Sequence, residues 1–226
     1  MKNRGKRTLT AGVALIVLFV LWTLLILRVD VQPVGQNGTN IGFATLNVWF
    51  HHLTGVHMGI YTLTDCLELI AIAVCIGFGV LGLVQLFRRR SLWKVDRDIL
   101  LLGGYYLLVI LAYLIFERIP INYRPILIDG VMEVSYPSST TLLVLSVMPT
   151  LKFQVDKRSR NTVVKGITTA FVVLFSVFML FARLVSGVHW FTDIIGAVIL
   201  SAGLYLVYRS AVILLEQRKN KDANNL

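Results

Sequence analysis

Six long apolar runs, separated by polar segments, dominate the hydrophobic pattern of the chain. They cover approximately residues 9–27, 60–87, 99–116, 138–152, 166–184 and 190–215. A helix that crosses a membrane needs about 20 predominantly apolar residues. The fourth run is short for a crossing unless its hydroxyl-rich first turn lies within protein. The pattern predicts an all-α fold, a bundle of six transmembrane helices forming one integral membrane domain over residues 1–226.

The segment between the first two runs, residues 28–56, is rich in Gly, Asn, Pro and Gln and ends in N-V-W-F-H-H-L. We interpret it as an outer loop that ends in an amphipathic helix at the membrane interface. His51, His52 and His57 raise the hypothesis of a metal site. Their spacing is not a common zinc pattern, and no Cys or carboxylate completes it nearby, so we expect no metal.

Composition and charge agree with a membrane protein and indicate its orientation. The chain is 56% hydrophobic, with a net charge of +10, and it is too apolar for a soluble domain. In such a protein the distribution of Lys and Arg matters more than the total, because basic residues favour the cytoplasmic side. We therefore expect no nucleic-acid partner, both termini in the cytoplasm and a multi-pass protein of the cell membrane. The basic clusters that set this orientation lie at residues 2–7, 88–97, 152–165 and 218–221.

Arginines on the predicted outer side run against this bias and need another explanation. Arg118, Arg124 and Arg183 all lie at outer ends of predicted helices. Ser138, Ser139 and Thr140 begin the fourth run, where free backbone N–H groups and the helix dipole favour an anion. Phosphate fits this set best. A sulfate would use the same donors, and a carboxylate would need fewer arginines.

The stretch from Arg183 to Asp193 combines a cation, an imidazole and a carboxylate. On a helix beginning near Trp190, His189 and Asp193 lie four residues apart on one face, where the carboxylate can orient the ring for nucleophilic or basic work. In the alternative interpretation Arg183 extends to the interface and Asp193 only caps the next helix.

Two further carboxylates, Asp65 and Glu68, lie near the predicted outer end of the second run. Carboxylates within a membrane need a partner or a water-filled cavity. They either line the site or pair with one of its arginines. A small transporter would be favoured if they bound substrate at the midplane, but their location near the outer end argues against this.

Three motif fragments occur in a fixed order: Arg124-Pro125, then Pro137-Ser138, then Arg183, His189 and Asp193 spaced as R-x5-H-x3-D. With these, the chain resembles the type 2 phosphatidic acid phosphatase (PAP2) superfamily of membrane lipid phosphatases. The motifs of that family are K-x6-R-P, P-S-G-H and S-R-x5-H-x3-D. The resemblance covers the segment from Glu117 to Asp193 in detail and the whole chain in topology.

The chain departs from the family pattern at three positions. Ala182 replaces the leading Ser of the third motif. The residue seven before Arg124 is Glu117 instead of Lys, and the nearest base, Arg118, is one residue out of register. The family's second-motif histidine is Thr140.

The resemblance implies roles for the site residues. His189 would attack phosphorus to form a phosphohistidine, and Asp193 would orient it. Arg118, Arg124, Arg183 and the Ser138–Thr140 turn would hold the phosphoryl oxygens, without a metal or another cofactor. The expected activity is hydrolysis of a lipid phosphate or pyrophosphate on the outer leaflet, for example undecaprenyl pyrophosphate, phosphatidylglycerophosphate or phosphatidic acid.

In the family, the second-motif histidine protonates the leaving oxygen. This chain has Thr140 at that position, and threonine cannot replace the histidine at neutral pH. Three hypotheses follow. The substrate is a lipid pyrophosphate, whose leaving phosphate needs a proton less than an alkoxide does. Alternatively, another group donates, such as water, Glu117 or Asp129. In the third, the protein is catalytically impaired and binds or transports a lipid phosphate.

Overall fold

In a computed structural model, which describes residues 3–224 and side chains as far as Arg218, the chain is helical. The described residues contain isolated β-bridges but no strand. The all-α prediction is therefore confirmed. The α-helices are α1 (Arg4–Ile26), α2 (Ala44–Thr54), α3 (Met58–Arg89), α4 (Arg97–Arg118), α5 (Ser139–Arg158), α6 (Thr162–Val185) and α7 (Phe191–Asn224).

Most helices extend further than the apolar runs that predict them. α1 begins at Arg4 and α5 ends at Arg158, well inside the basic flanks. Asn161 caps α6, because its side-chain oxygen accepts the N–H groups of Val163 and Val164. Arg and Lys are good helix formers, so a helix continues past the point where its hydrophobic pattern stops. Lys2 and the side chains of Lys219 and Lys221, which belong to the basic clusters, lie outside the described residues.

Five helices, namely α1, α3, α4, α6 and α7, are long and apolar enough to cross a membrane. The protein is thus a multi-pass membrane protein. α5 has 20 residues, or roughly 30 Å, but its composition is more polar. It is instead encased by α3, α4, α6 and α7, so its polar residues need not meet lipid. The count of six crossings and the cytoplasmic position of both termini stay predictions.

The core of the bundle has two parts. One is built around Phe19, Tyr136 and Tyr208, where the helix pair α1 and α7 meets α4. The other lies between α3, α5 and α6 and contains Ala71 and Met179. Large apolar side chains elsewhere on α1, α3, α4 and α6 are exposed. That distribution is what helices surrounded by hydrocarbon require.

Successive long helices alternate in direction, so that the same end of the bundle collects one end of each. The C-terminal ends of α1, α4 and α6 meet the N-terminal ends of α3, α5 and α7. We call this the site end. The opposite end, which we call the basic end, carries ion pairs from Arg89 to Asp96 at 2.8 Å and from Arg158 to Asp98 at 2.9 Å.

The connection from α6 to α7 packs tightly on the linker between α2 and α3. The N–H of His57 donates to the carbonyl oxygen of Ser186 at 2.9 Å. Gly187 has φ +72°, and a Cβ there would lie 2.0 Å from the carbonyl oxygen of Gly55. Glycine is therefore required at this crossing, two residues before His189.

Candidate functional site

His189 lies in the short connection between α6 and α7 and is buried. Its Nδ1 is 3.1 Å from the carbonyl oxygen of Ser135. A carbonyl oxygen only accepts hydrogen bonds, so Nδ1 carries the proton and donates. Nε2 is buried without a hydrogen-bond partner. This tautomer leaves the Nε2 lone pair free, which is the arrangement that a nucleophile needs.

The imidazole of His189 is held in its neutral form. Burial lowers its pKa from 6.5 to about 4; the charges of Arg124 and Arg183 act in the same direction, and Asp193 opposes them. A neutral ring keeps its lone pair, so burial and the two arginines favour attack by Nε2 at neutral pH.

The Asp193 carboxylate both caps α7 and lies beside the imidazole. Its Oδ2 accepts the N–H of Trp190 at 3.0 Å, and its Oδ1 accepts the side-chain N–H of Asn122 at 3.0 Å. Oδ2 is 3.8 Å from Nδ1 of His189, which is longer than a hydrogen bond. The capping role and the position next to His189 are therefore compatible properties of one side chain.

Arg183 is fixed by α3. Its Nη1 donates to the hydroxyl of Thr64 at 3.0 Å, and its Nη2 is 3.7 Å from a carboxylate oxygen of Asp65. The guanidinium carbon lies 4.7 Å from the centre of the Tyr61 ring. With 1% of its surface exposed, Arg183 does not extend to an interface, so that alternative interpretation is wrong.

Arg124 approaches the same ring from the loop between α4 and α5. Its guanidinium carbon is 5.5 Å from the centre of the Tyr61 ring, and its Nε is 3.0 Å from Oε2 of Glu133. Arg118 is exposed on the last turn of α4. Within residues 3–224 its side chain makes no hydrogen bond or ion pair. The structure thus brings together two of the three predicted arginines.

The N-terminus of α5 lies against the first turn of α7. Ser138 is buried; its hydroxyl donates to Thr141 at 3.0 Å, and its backbone N–H donates to the carbonyl oxygen of Asp193 in α7 at 3.3 Å. Ser139 is half-buried and lines a small pocket together with His189, Tyr113 and Glu117. The first turn of α5 leaves backbone N–H groups without partners inside the helix.

Thr140 turns toward α3 instead. Its hydroxyl donates to Oε2 of Glu68 at 2.6 Å. Asp129, one of the alternative proton donors, is exposed in the turn between Ile128 and Val131.

Residues of α3 and of the loop before α5 complete the site, and the motif pattern did not indicate them. Tyr61 contacts both guanidinium groups, and Ser135 supplies the acceptor for His189. A signal for part of this set exists in the sequence. Polar side chains recur in α3 at the i, i+3, i+4 and i+7 spacing of one helical face, in a helix that is otherwise apolar: Tyr61, Thr64, Asp65 and Glu68.

Several buried polar atoms of the site have no hydrogen-bond partner. They are Nε2 of His189, Nη1 of Arg124 and Nε of Arg183. Buried polar atoms are normally paired, so these atoms are available to bind a ligand. Two cations and a free imidazole nitrogen suit a tetrahedral anion such as phosphate. In the described part of the chain, no three His, Cys, Asp or Glu side chains converge as a metal site would need.

Comparison with known proteins identifies the family. The sequence profile of the PAP2 superfamily matches residues 75–215. No curated protein that we compared with the chain matches it in sequence. A crystal structure described as the first transmembrane PAP2-type phosphatidylglycerolphosphate phosphatase from Bacillus subtilis superposes with a TM-score of 0.62. That match has 16% identity and covers 91% of this chain and 96% of the other.

The profile match includes Arg124, the start of α5, Arg183, His189 and Asp193, and the structural match extends the shared fold to nearly the whole chain. The chain therefore belongs to the PAP2 superfamily and has the fold of a PAP2-type membrane phosphatase.

Proposed function

We propose that the protein hydrolyses a lipid phosphate or lipid pyrophosphate at the outer leaflet through a phosphohistidine intermediate. The observation that carries this proposal is the unpartnered Nε2 of His189 next to two buried guanidinium groups. Membership of the superfamily supports phosphatase chemistry in general. The substrate, the intermediate and the membrane side are our inference.

In the proposed reaction, the phosphoryl group lies between Arg124, Arg183 and the first turn of α5. These groups stabilise the negative charge that spreads over the phosphoryl oxygens in the transition state. Nε2 attacks phosphorus while Nδ1–H stays on the carbonyl oxygen of Ser135. The nearby Asp193 carboxylate stabilises the positive charge that the ring acquires. Water then cleaves the P–N bond, and phosphate leaves.

The nature of the leaving group decides how strongly the reaction depends on a positioned acid. Positioned acid catalysis contributes about 10²- to 10⁴-fold, or roughly 3 to 5 kcal/mol of transition-state stabilisation. Thr140 cannot supply it as the family's histidine does. A lipid pyrophosphate releases a phosphate that departs without a proton more readily than an alkoxide does. A pyrophosphate such as undecaprenyl pyrophosphate therefore depends less on a positioned acid than phosphatidic acid does.

The test is a phosphate-release assay in detergent with undecaprenyl pyrophosphate, phosphatidylglycerophosphate and phosphatidic acid. We expect His189→Ala to abolish release from every substrate that the wild type cleaves. Thr140→His should raise the rate on the two monoesters more than on the pyrophosphate. Equal gains on all three would refute the argument from the leaving group.

The second candidate is a protein that binds or transports a lipid phosphate without turnover. The absence of the histidine at Thr140 favours it, and the free nucleophile at His189 argues against it. Wild-type protein that binds these lipids but releases no phosphate, while Thr140→His does release it, would establish this candidate.

A further inference from the structure

Glu68 contacts the residue that stands at the position of the family's missing histidine. Thr140 donates its hydroxyl to Oε2 of Glu68 at 2.6 Å. Thr140 is buried, and Glu68 is half-buried on α3. A threonine is shorter than a histidine, and a carboxyl group from the neighbouring helix lies against it at this position. Glu68 precedes residues 75–215, over which the family profile matches.

We propose that the Glu68 carboxyl group is the proton donor to the leaving oxygen and that Thr140 is its positioning residue. The inference rests on the proposed phosphatase function. It deepens that function by assigning the acid that the second motif lacks.

The position of Glu68 on α3 places its carboxyl group near the anion site. Thr64 and Asp65, one helical turn earlier, both contact Arg183. The partner of Glu68, Thr140, belongs to the first turn of α5, directly after Ser138 and Ser139. Because Thr140 occupies Oε2, the second oxygen, Oε1, is the one available to carry a proton.

The two carboxyl groups on this face of α3 differ in their contacts. Asp65 lies 3.7 Å from the Arg183 guanidinium, whereas Oε2 of Glu68 accepts the hydroxyl of Thr140. Asp65 is therefore paired with a phosphate-binding arginine, and Glu68 is the α3 carboxyl group that lies at the position of the second-motif acid.

The proton balance closes over the two half-reactions. In the first, the lone pair of Nε2 forms the P–N bond, the bond from phosphorus to the leaving oxygen breaks, and its electron pair stays on that oxygen. The Glu68 proton moves to the same oxygen and leaves a carboxylate. In the second, a water oxygen attacks phosphorus, the Glu68 carboxylate takes the water proton, and the P–N electron pair returns to Nε2.

Leaving-group dependence tests this assignment. The two probes are phosphatidic acid, whose leaving group is an alkoxide, and p-nitrophenyl phosphate, whose nitrophenolate departs without a proton. We expect Glu68→Gln to reduce kcat/KM on phosphatidic acid by about 10²- to 10⁴-fold. On p-nitrophenyl phosphate the same variant should change kcat/KM by less than about 10-fold, since the phosphate site and the nucleophile remain. The retained activity on the second probe also shows that the variant folds.

A rescue variant separates an acid from a structural residue. Thr140→His introduces an imidazole at the family's acid position, so the double variant with Glu68→Gln should recover activity on phosphatidic acid. Thr140→Val keeps the shape and removes the hydroxyl, and we expect it to lower kcat on phosphatidic acid while the KM stays close to that of the wild type.

Glu117→Gln is the matched control variant. It removes the other candidate proton donor, because Glu117 lines the pocket beside His189. A selective loss on phosphatidic acid in Glu117→Gln, with none in Glu68→Gln, would overturn the assignment. An equal loss on both probes in Glu68→Gln would also overturn it. If the wild type releases phosphate from neither probe and from no lipid pyrophosphate, the proposed function itself fails, and this assignment fails with it.

Discussion

At the scale of single residues, the site holds two like charges against one aromatic ring. Arg124 and Arg183 both lie over Tyr61, at 5.5 and 4.7 Å from its centre. A cation over an aromatic face gains about 0.5 to 2 kcal/mol. Each guanidinium also has its own carboxylate, from Glu133 and Asp65 respectively. These contacts keep two repelling cations close enough to bind one anion.

The neutral imidazole of His189 leads to a prediction about pH. Its pKa is lowered from 6.5 to about 4, chiefly by burial. The unfolded chain therefore binds more protons than the folded one in this range. The stabilisation associated with neutral His189 is complete above about pH 6.5 and is lost as the pH falls toward 4. In nitrogen NMR spectra of the detergent-solubilised protein, we expect the His189 ring to stay neutral down to about pH 5.

His189→Gln provides the assignment for that experiment, because the signal that disappears belongs to His189. The exposed ring of His52 serves as a reference within the same sample. A midpoint of the His189 signal near 6.5 would contradict the buried environment that the structure gives this residue.

At the scale of elements, the site depends on how two connections cross. The turn at Ser186 and Gly187 between α6 and α7 contacts the linker at Gly55 and His57 between α2 and α3. This crossing fixes the start of α7, and with it His189 and Asp193. It also fixes the start of α3, whose first turns carry Tyr61. One contact therefore sets the distance between the nucleophile and the residues that hold the arginines.

Gly187→Ala tests this crossing. The new Cβ would lie 2.0 Å from a backbone oxygen at a residue with φ +72°. We expect lower activity and a clearly lower thermal unfolding midpoint in detergent. Gly130→Ala is the matched control, since Gly130 has φ +78° but no atom within 4 Å of the new Cβ. It should cost only backbone strain, about 1 kcal/mol. Similar effects of the two substitutions would show that the crossing tolerates displacement.

At the scale of the whole molecule, alternating helices separate the polar groups into two ends. The site end carries the buried arginines and His189, whereas the basic end carries Arg88, Arg90 and the ion pair of Arg89 with Asp96. Basic clusters favour the cytoplasmic side. We therefore expect the site to face the opposite leaflet, where the headgroup of a lipid can reach it from the membrane plane.

Cysteine labelling in intact cells tests this orientation. The background is Cys66→Ser with Cys75→Ser, which removes the native thiols. Asp129→Cys places a thiol on the exposed loop at the site end, and Trp93→Cys places one on a side chain that is 92% exposed at the basic end. A membrane-impermeant maleimide should label the first in intact cells and the second only after lysis. The reverse pattern would place the site in the cytoplasm.

Fold and site differ in how far the sequence predicts them. The apolar runs predict each long helix, because hydrocarbon demands an apolar surface and a backbone that pairs within itself. The helix ends are less visible, as α5 shows by continuing to Arg158. In the site, spacing along the chain identifies His189 with Asp193. It does not reveal that Arg118 stays apart or that Thr140 turns toward Glu68.

The amino-acid sequence by itself determined the helical class and, through the order of its motif fragments, the family to which the chain belongs. Both follow from local properties, namely hydrophobicity along each run and spacing within each motif. Only the tertiary structure decided which polar groups meet at the site. Contacts such as Arg124 and Arg183 on Tyr61, and Thr140 on Glu68, join residues more than 60 positions apart. They depend on the packing of α3 against α5 and α6, which no local pattern records.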